Sequence, residues 1–183
     1  MMFTDAQGQL LISLARASIA GKFHPTDELP DADFLRQPGA SFVTLTKHGQ
    51  LRGCIGSLEA WRKLGDDVRS NARSAAFSDP RFYPVSEDEL ADIRIEVSVL
   101  TAPAALEFAG QSDALAKLRP GTDGVILRAG GRRATFLPQV WEELPSPGEF
   151  MAQLKRKAGL PADYWSDDVE LEIYQVQAFS ERS

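Results

Sequence analysis

Cysteine is almost missing from this 183-residue chain: Cys54 stands alone, so no disulfide can form within it. That usage fits a reducing compartment. Histidine is nearly as scarce, with only His24 and His48, both in segments that read as loops. No His/Cys cluster has metal-ligand spacing, so neither a metal nor a cofactor is expected. No apolar run approaches the roughly 18 residues a membrane-spanning helix needs. The first residues lack the continuous apolar stretch of a signal peptide, being interrupted by Gln7, Gln9, Ser13 and Arg16. The expected location is therefore the cytoplasm. The phosphate-cradling patterns G-x-x-x-x-G-K-[ST] and G-x-G-x-x-G are missing, as is the serine-hydrolase elbow G-x-S-x-G. Excess positive charge is missing too: the formal net charge is −6. That balance disfavours nucleic-acid binding, which depends on neutralising many phosphates. Neither a nucleic acid nor a membrane is expected as a partner.

What is present is ordinary for a folded domain: 43% hydrophobic and 25% charged residues. Thr4 and Gln7 have capping-box spacing, and the apolar residues that follow predict a helix over 5–20. Residues 21–40, rich in proline, glycine and acids, read as an irregular surface segment. Residues 41–47 and 50–55 flank His48-Gly49 and predict a hairpin with His48 at its tip. A helix over 64–77 follows, carrying Leu64, Val68, Ala72 and Ala75 on one face. The loop through Pro80 and Pro84 ends it. Ser86 and Glu89 can cap a short turn. Residues 93–100 alternate cleanly, with Arg94, Glu96 and Ser98 on the polar face. Residues 124–128 and 132–137 flank Gly130-Gly131 as a second hairpin. Ser146 and Glu149, with Pro147 between, predict a capped helix to about Ala158, its Phe150, Met151 and Leu154 facing inward. Residues 169–176 predict a last strand. Strands arriving mostly as hairpins, with no regular βαβ rhythm, indicate an α+β fold with a largely antiparallel sheet and flanking helices. One domain is expected to span residues 1–183. Lys155-Arg156-Lys157 reads as a helix end, where cations favour the helix dipole, and Asp66, Asp67, Glu87, Asp88 and Glu89 as structural or solvated acids near helix starts.

The segment Arg52-Gly53-Cys54-Ile55-Gly56 carries the most chemistry. Strict strand alternation places Arg52 and Cys54 side by side on one face. An arginine beside a cysteine stabilises the thiolate, and the two glycines leave room for a close approach. The bland alternative is a small buried hydrophobe, the commonest role of free cysteine. If residues 93–100 form a neighbouring strand, Glu96 can pair with Arg52. Asn71 falls on the apolar face of its helix, where a polar side chain needs a partner. Asp79 and Arg81 flank Pro80 in a loop.

The run Leu51-Arg52-Gly53-Cys54-Ile55-Gly56 resembles the signature of the AMMECR-domain family. Three further stretches agree in order: Asn71-Ala72 through Asp79-Pro80-Arg81-Phe82, Ile95 through Leu100, and Ala134 through Glu142. Lys157 through Leu160, with Trp165 behind, also fits. The resemblance implies an α+β fold and allows a small second lobe. It further implies neighbours in prokaryotes, a Memo-type protein and a radical SAM protein, as potential partners. It supplies no reaction. The first hypothesis is an enzyme or enzyme component acting on a small molecule or modified amino acid. Cys54 is then the nucleophile or thiol ligand, Arg52 its electrostatic partner and Glu96 an acid, base or orienting group. Asn71, Ser98, Asp79 and Arg81 are the candidate ligand-binding residues. The alternative is a noncatalytic domain that binds a ligand, a peptide or a protein.

Overall fold

The computed structural model describes residues 2–26 and 28–181. The chain divides into two compact units, residues 1–101 with 177–183, and residues 102–176.

The first unit opens with α1 (Asp5–Ala20). Its capping box forms as the spacing predicts: Gln7 N–H donates to Thr4 Oγ1 (3.1 Å) and Thr4 N–H to Gln7 Oε1 (2.8 Å). A 3₁₀ turn (Asp33–Arg36) lies inside the segment read as irregular. Strand β1 (Pro38–Lys47) starts three residues earlier than the β-forming run suggests. The hairpin follows, with β2 (Gln50–Gly56) returning from His48, whose φ of 52° and that of Gly49 (79°) make the turn. A two-residue strand β3 (Arg62–Lys63) leads into α2 (Leu64–Phe77). Another 3₁₀ turn (Glu87–Asp92) precedes β4 (Ile93–Leu100).

In the second unit, β5 (Ala104–Ala105), α3 (Gln111–Lys117), β6 (Gly124–Ala129), β7 (Arg132–Phe136), α4 (Pro147–Lys157) and β8 (Glu170–Tyr174) surround a separate core. Its sheet runs β5-β8-β6-β7, with antiparallel pairing at each step. The Trp141 and Phe150 rings stack at 3.8 Å in that core. Ser146 makes no side-chain cap on α4, although Pro147 occupies the first helical position. The single last strand read from residues 169–176 is two strands. β8 ends at Tyr174, and β9 (Val176–Ser180) joins the first sheet. Periodicity is blind to such a break, because alternation continues while the hydrogen-bonding partner changes.

The first sheet runs β2-β1-β4-β9, with β3 also paired to β1. Strand alternation gives it two different faces. Val43, Leu45, Ile93, Ile95, Val97 and Val99 are buried on one face against Leu11, Leu14 and Ile19 of α1 and Val68, Ala72 and Ala75 of α2. The helix approaches so closely that a Cβ on Gly53 would stand 2.1 Å from the Ala75 carbonyl oxygen. Glycine at position 53 is therefore a packing requirement. The opposite face of β1, β4 and β2 carries Phe42, Thr44, Cys54, Glu96 and Ser98.

Candidate functional site

The outer face is ordered by its strand register. Thr44 pairs with Cys54 on one side and with Glu96 on the other. One step along, Phe42 pairs with Gly56 and with Ser98. Residues directly opposite in antiparallel strands share a face, so these six form two adjacent rows. Cys54 Sγ lies 3.3 Å from Thr44 Oγ1. Glu96 Oε2 accepts from Ser180 Oγ at 3.2 Å. Cys54 and Glu96 are two strand spacings apart, roughly 10 Å. Thr44 fills the gap between them. The Phe42 ring lies over Gly56, where an added Cβ would meet it at 2.1 Å. Cys54, Thr44, Glu96, Phe42 and Ser98 are all half-buried.

Arg52 does not share this arrangement. The register shifts between Leu45 and Thr46, which face Gly53 and Leu51, so Arg52 is the extra residue of a β-bulge. The bulge breaks the alternation that would set Arg52 beside Cys54. Its guanidinium instead grips Glu89, Nε to Oε2 at 2.9 Å and Nη2 to Oε1 at 3.1 Å. Lys47 Nζ reaches the same carboxylate at 3.2 Å, and Ser86 N–H donates to it at 3.1 Å. The Arg52 hydrogen bonds draw the Glu89 pKa down to about 2, against the cost of burial. The expected Arg52–Glu96 pair is thus replaced by Arg52–Glu89, because β1 separates β2 from β4.

Asp79 and Arg81 act on the backbone of Cys54. Asp79 Oδ2 accepts from Cys54 N–H at 3.0 Å, and Arg81 Nη2 donates to the Cys54 carbonyl at 3.4 Å. Arg81 also forks onto Asp79, at 3.0 and 2.7 Å. The two side chains therefore satisfy the Cys54 backbone on the outward edge of β2, which no strand covers among the described residues. The Arg81 guanidinium beside Asp79 holds that buried carboxyl well below the usual carboxylate range. Asp79 raises Arg81 in return.

Asn71 is 3% exposed and turned inward. Its amide faces Ser41 O and Asp67 Oδ2, both at 3.0 Å, and Ser57 Oγ at 3.2 Å. Asp67, fully buried, is the centre of this network. It accepts from Ser41 N–H (2.8 Å), Ser41 Oγ (2.7 Å), Ser57 Oγ (2.6 Å) and Arg62 Nε (2.8 Å). The network ties α2 to β1 and to the segment after β2. Its place on one helix face marks Asp67 as structural rather than solvated: Leu64, Asp67, Val68 and Asn71 follow the i, i+3, i+4, i+7 pattern. For Glu89 the capping-box spacing anticipates the bond from Ser86 N–H, but not the partners Lys47 of β1 and Arg52 of β2.

The structure therefore brings Cys54, Glu96 and Ser98 to one face, adds Thr44, Phe42 and Ser180, and engages Arg52, Asn71, Asp79 and Arg81 in holding that face together. His48, at the hairpin tip, is roughly 13 Å along β1 from Thr44 at about 3.3 Å per residue. His24 is exposed and faces Glu87 at 2.6 Å. Among the described residues, no group of three or more His, Cys, Asp or Glu is placed to hold a metal ion. Among them, too, no helix is long and apolar enough to cross a membrane.

Residues 12–179 match the family model for AMMECR1, a stretch that runs through both units. A protein of Methanothermobacter thermautotrophicus is 42% identical over 94% of this chain and 92% of its own length. Protein MK0488 of Methanopyrus kandleri is 39% identical over 97% of this chain and 90% of its own. The crystal structure of PH0010 from Pyrococcus horikoshii, titled an uncharacterized protein, aligns with a TM-score of 0.77 at 32% identity. That alignment covers 98% of this chain and 94% of PH0010. The chain belongs to the AMMECR1 family.

Proposed function

We propose that the outer face of the first sheet is a recognition surface, and that the chain works as a ligand-binding component, of the AmmeMemoRadiSam protein A type, alongside Memo-type and radical SAM proteins. The observation that carries this reading is that the Glu96 carboxylate, the Thr44 and Ser98 hydroxyls and the Phe42 ring share one half-buried face. A carboxylate on the same face as an aromatic ring suits a ligand that bears a cationic or amide donor on an apolar body, a small modified amino acid or a peptide side chain. The residues around Cys54 serve this face as a scaffold. Asp79 and Arg81 fix the backbone of Cys54, and Arg52 anchors the bulge to Glu89.

A second reading, a catalytic thiol, draws on the Thr44 hydroxyl 3.3 Å from Sγ. General-base activation calls for a base within hydrogen-bond reach of the nucleophile. Glu96 lies two strand spacings away and both histidines are elsewhere, so the arrangement favours binding over nucleophilic attack.

The test is an NMR titration of ¹⁵N-labelled protein with Nα-acetyl-lysine amide and, in parallel, Nα-acetyl-norleucine amide, which lacks the charge. Saturable shifts should cluster at Phe42, Thr44, Cys54, Glu96 and Ser98. The charged probe should bind about tenfold more tightly, a difference of about 1.4 kcal/mol. Shifts that map elsewhere, or equal affinities for the two probes, would overturn the reading.

A further inference from the structure

Four arginines of the first unit are half-buried: Arg16, Arg52, Arg62 and Arg69. Three are held by carboxylates, Glu181 for Arg16, Glu89 for Arg52 and Asp67 for Arg62. Arg69 is the exception. Its Nε is buried with no hydrogen-bond partner, and no ion pair holds its guanidinium among the described residues. A buried guanidinium donor without an acceptor is rare in folded proteins and calls for one.

A cavity of about 330 Å³ lies beside it. That volume falls at the lower end of small-ligand sites. Leu14, Leu29, Pro30 and Leu35 supply apolar walls. The rest of the lining is charged, with Arg36, Lys63 and Arg69 set against Asp31 and Asp66. Asp31 is already spent on Arg36, at 2.5 Å. Asp66 opposes an incoming anion in part, yet it makes no ion pair with Arg69, which follows it by one helical turn.

The cavity also meets the first turn of α2 at Lys63, Gly65 and Asp66. Lys63 stands at the N-cap and supplies no side-chain acceptor. Leu64 N–H is satisfied by Gln37 O at 2.8 Å. The next amides, of Gly65 and Asp66, add the positive end of the helix dipole to the two cations. Helical side chains lean toward the N-terminus, which carries Arg69 back along the turn of Gly65 and Asp66.

We infer that this cavity binds a small organic acid, with its carboxylate on Arg69 and Lys63 and an aliphatic or aryl body against Leu14, Leu29 and Leu35. The site is separate from the outer sheet face and does not rest on the reading of that face.

The intact protein is titrated calorimetrically with sodium hexanoate, hexanol and inorganic phosphate, and the hexanoate site is mapped by NMR. Hexanoate should saturate in the millimolar range. Hexanol, which lacks the charge, and phosphate, which lacks the body, should each bind at least about tenfold more weakly. Shifts should map to Leu14, Leu35 and Gly65. Arg69→Met should weaken hexanoate binding at least about tenfold. Without ligand it should unfold at the same temperature as the parent or higher, because it removes an unpaired donor. Arg69→Lys should retain part of the affinity. No saturation by hexanoate, phosphate binding as tight as hexanoate, shifts away from this cavity, or undiminished binding in a folded Arg69→Met each overturn the inference.

Discussion

At the scale of single residues, Arg52, Asn71, Asp79 and Arg81 are each engaged by hydrogen bonds within the first unit, and the buried Asp67 is an organising centre. Asp67 gathers donors from Ser41, Ser57, Arg62 and Asn71 in a fully buried position. Asp67→Ala leaves those donors unanswered, and urea denaturation should show a loss of about 3–5 kcal/mol. Gly53→Ala drives a Cβ into the Ala75 carbonyl, which belongs to helix backbone and cannot rotate away. It should cost about 3 kcal/mol or more. At Gly49, by contrast, φ is +79° and nothing lies within 4 Å, so Gly49→Ala should cost only about 1–2 kcal/mol of backbone strain. The glycine-rich character of the Cys54 segment was legible as close approach. Which backbone it approaches was not, because Ala75 is distant in sequence. Glu89 is one of the carboxylates that contribute to the acid behaviour. Its pKa is about 2 in the fold, against an ordinary 4.5, through Arg52. The unfolded chain therefore binds more protons between those values. The stability Glu89 contributes is complete above 4.5 and is lost as the pH falls through 2. The urea midpoint should decline with acid across that window, and less steeply in Glu89→Gln.

At the scale of elements, periodicity located those with a long regular repeat. Helix α1 with its capping box, helix α2 and the alternating strand β4 all fall where spacing puts them. Elements with little pattern escaped it. Helix α3 is seven residues long, β3 and β5 are two residues each, and the change of sheet at Gln175 leaves alternation unbroken. The bulge at Arg52 is the most consequential omission, since a single extra residue sends Arg52 to Glu89 and leaves Cys54 alone in the outer row beside Thr44. In α4 the basic run does end the helix, but Lys155 is 2% exposed. It lies one turn beyond Met151 on the inward face, with Nζ on Gln111 Oε1 (2.9 Å) and near the Ala162 carbonyl (3.4 Å). Burial lowers its pKa below the ordinary 10.5. Between that lowered value and 10.5 the unfolded chain holds more protons, so stability should rise with pH as Lys155 discharges in the fold. Replacing the ammonium, as in Lys155→Met, should flatten this rise in urea titrations made at increasing alkaline pH.

At the scale of the whole molecule, the fold class was legible because hairpins and interspersed helices leave few other solutions. The family resemblance allowed a small second lobe, but the boundaries of the two units were not legible, since no composition shift marks residues 101–102 or 176–177. Each unit has its own core. Residues 102–176 expressed alone should therefore unfold cooperatively in urea, with dispersed amide resonances. A non-cooperative transition would show that their core depends on the remainder of the chain. The first unit gathers the candidate site from strands β2, β1, β4 and β9, whose register no local pattern could supply. This face is proposed to recognise a ligand through Glu96 and Phe42, with Cys54 as part of the frame. It is tested most directly by the affinity for Nα-acetyl-lysine amide in Cys54→Ala and Glu96→Gln, each checked for native folding. Cys54→Ala should bind within about twofold of the parent, whereas Glu96→Gln should lose about tenfold, near 1.4 kcal/mol. Undiminished binding by Glu96→Gln, or loss confined to Cys54→Ala, would contradict it.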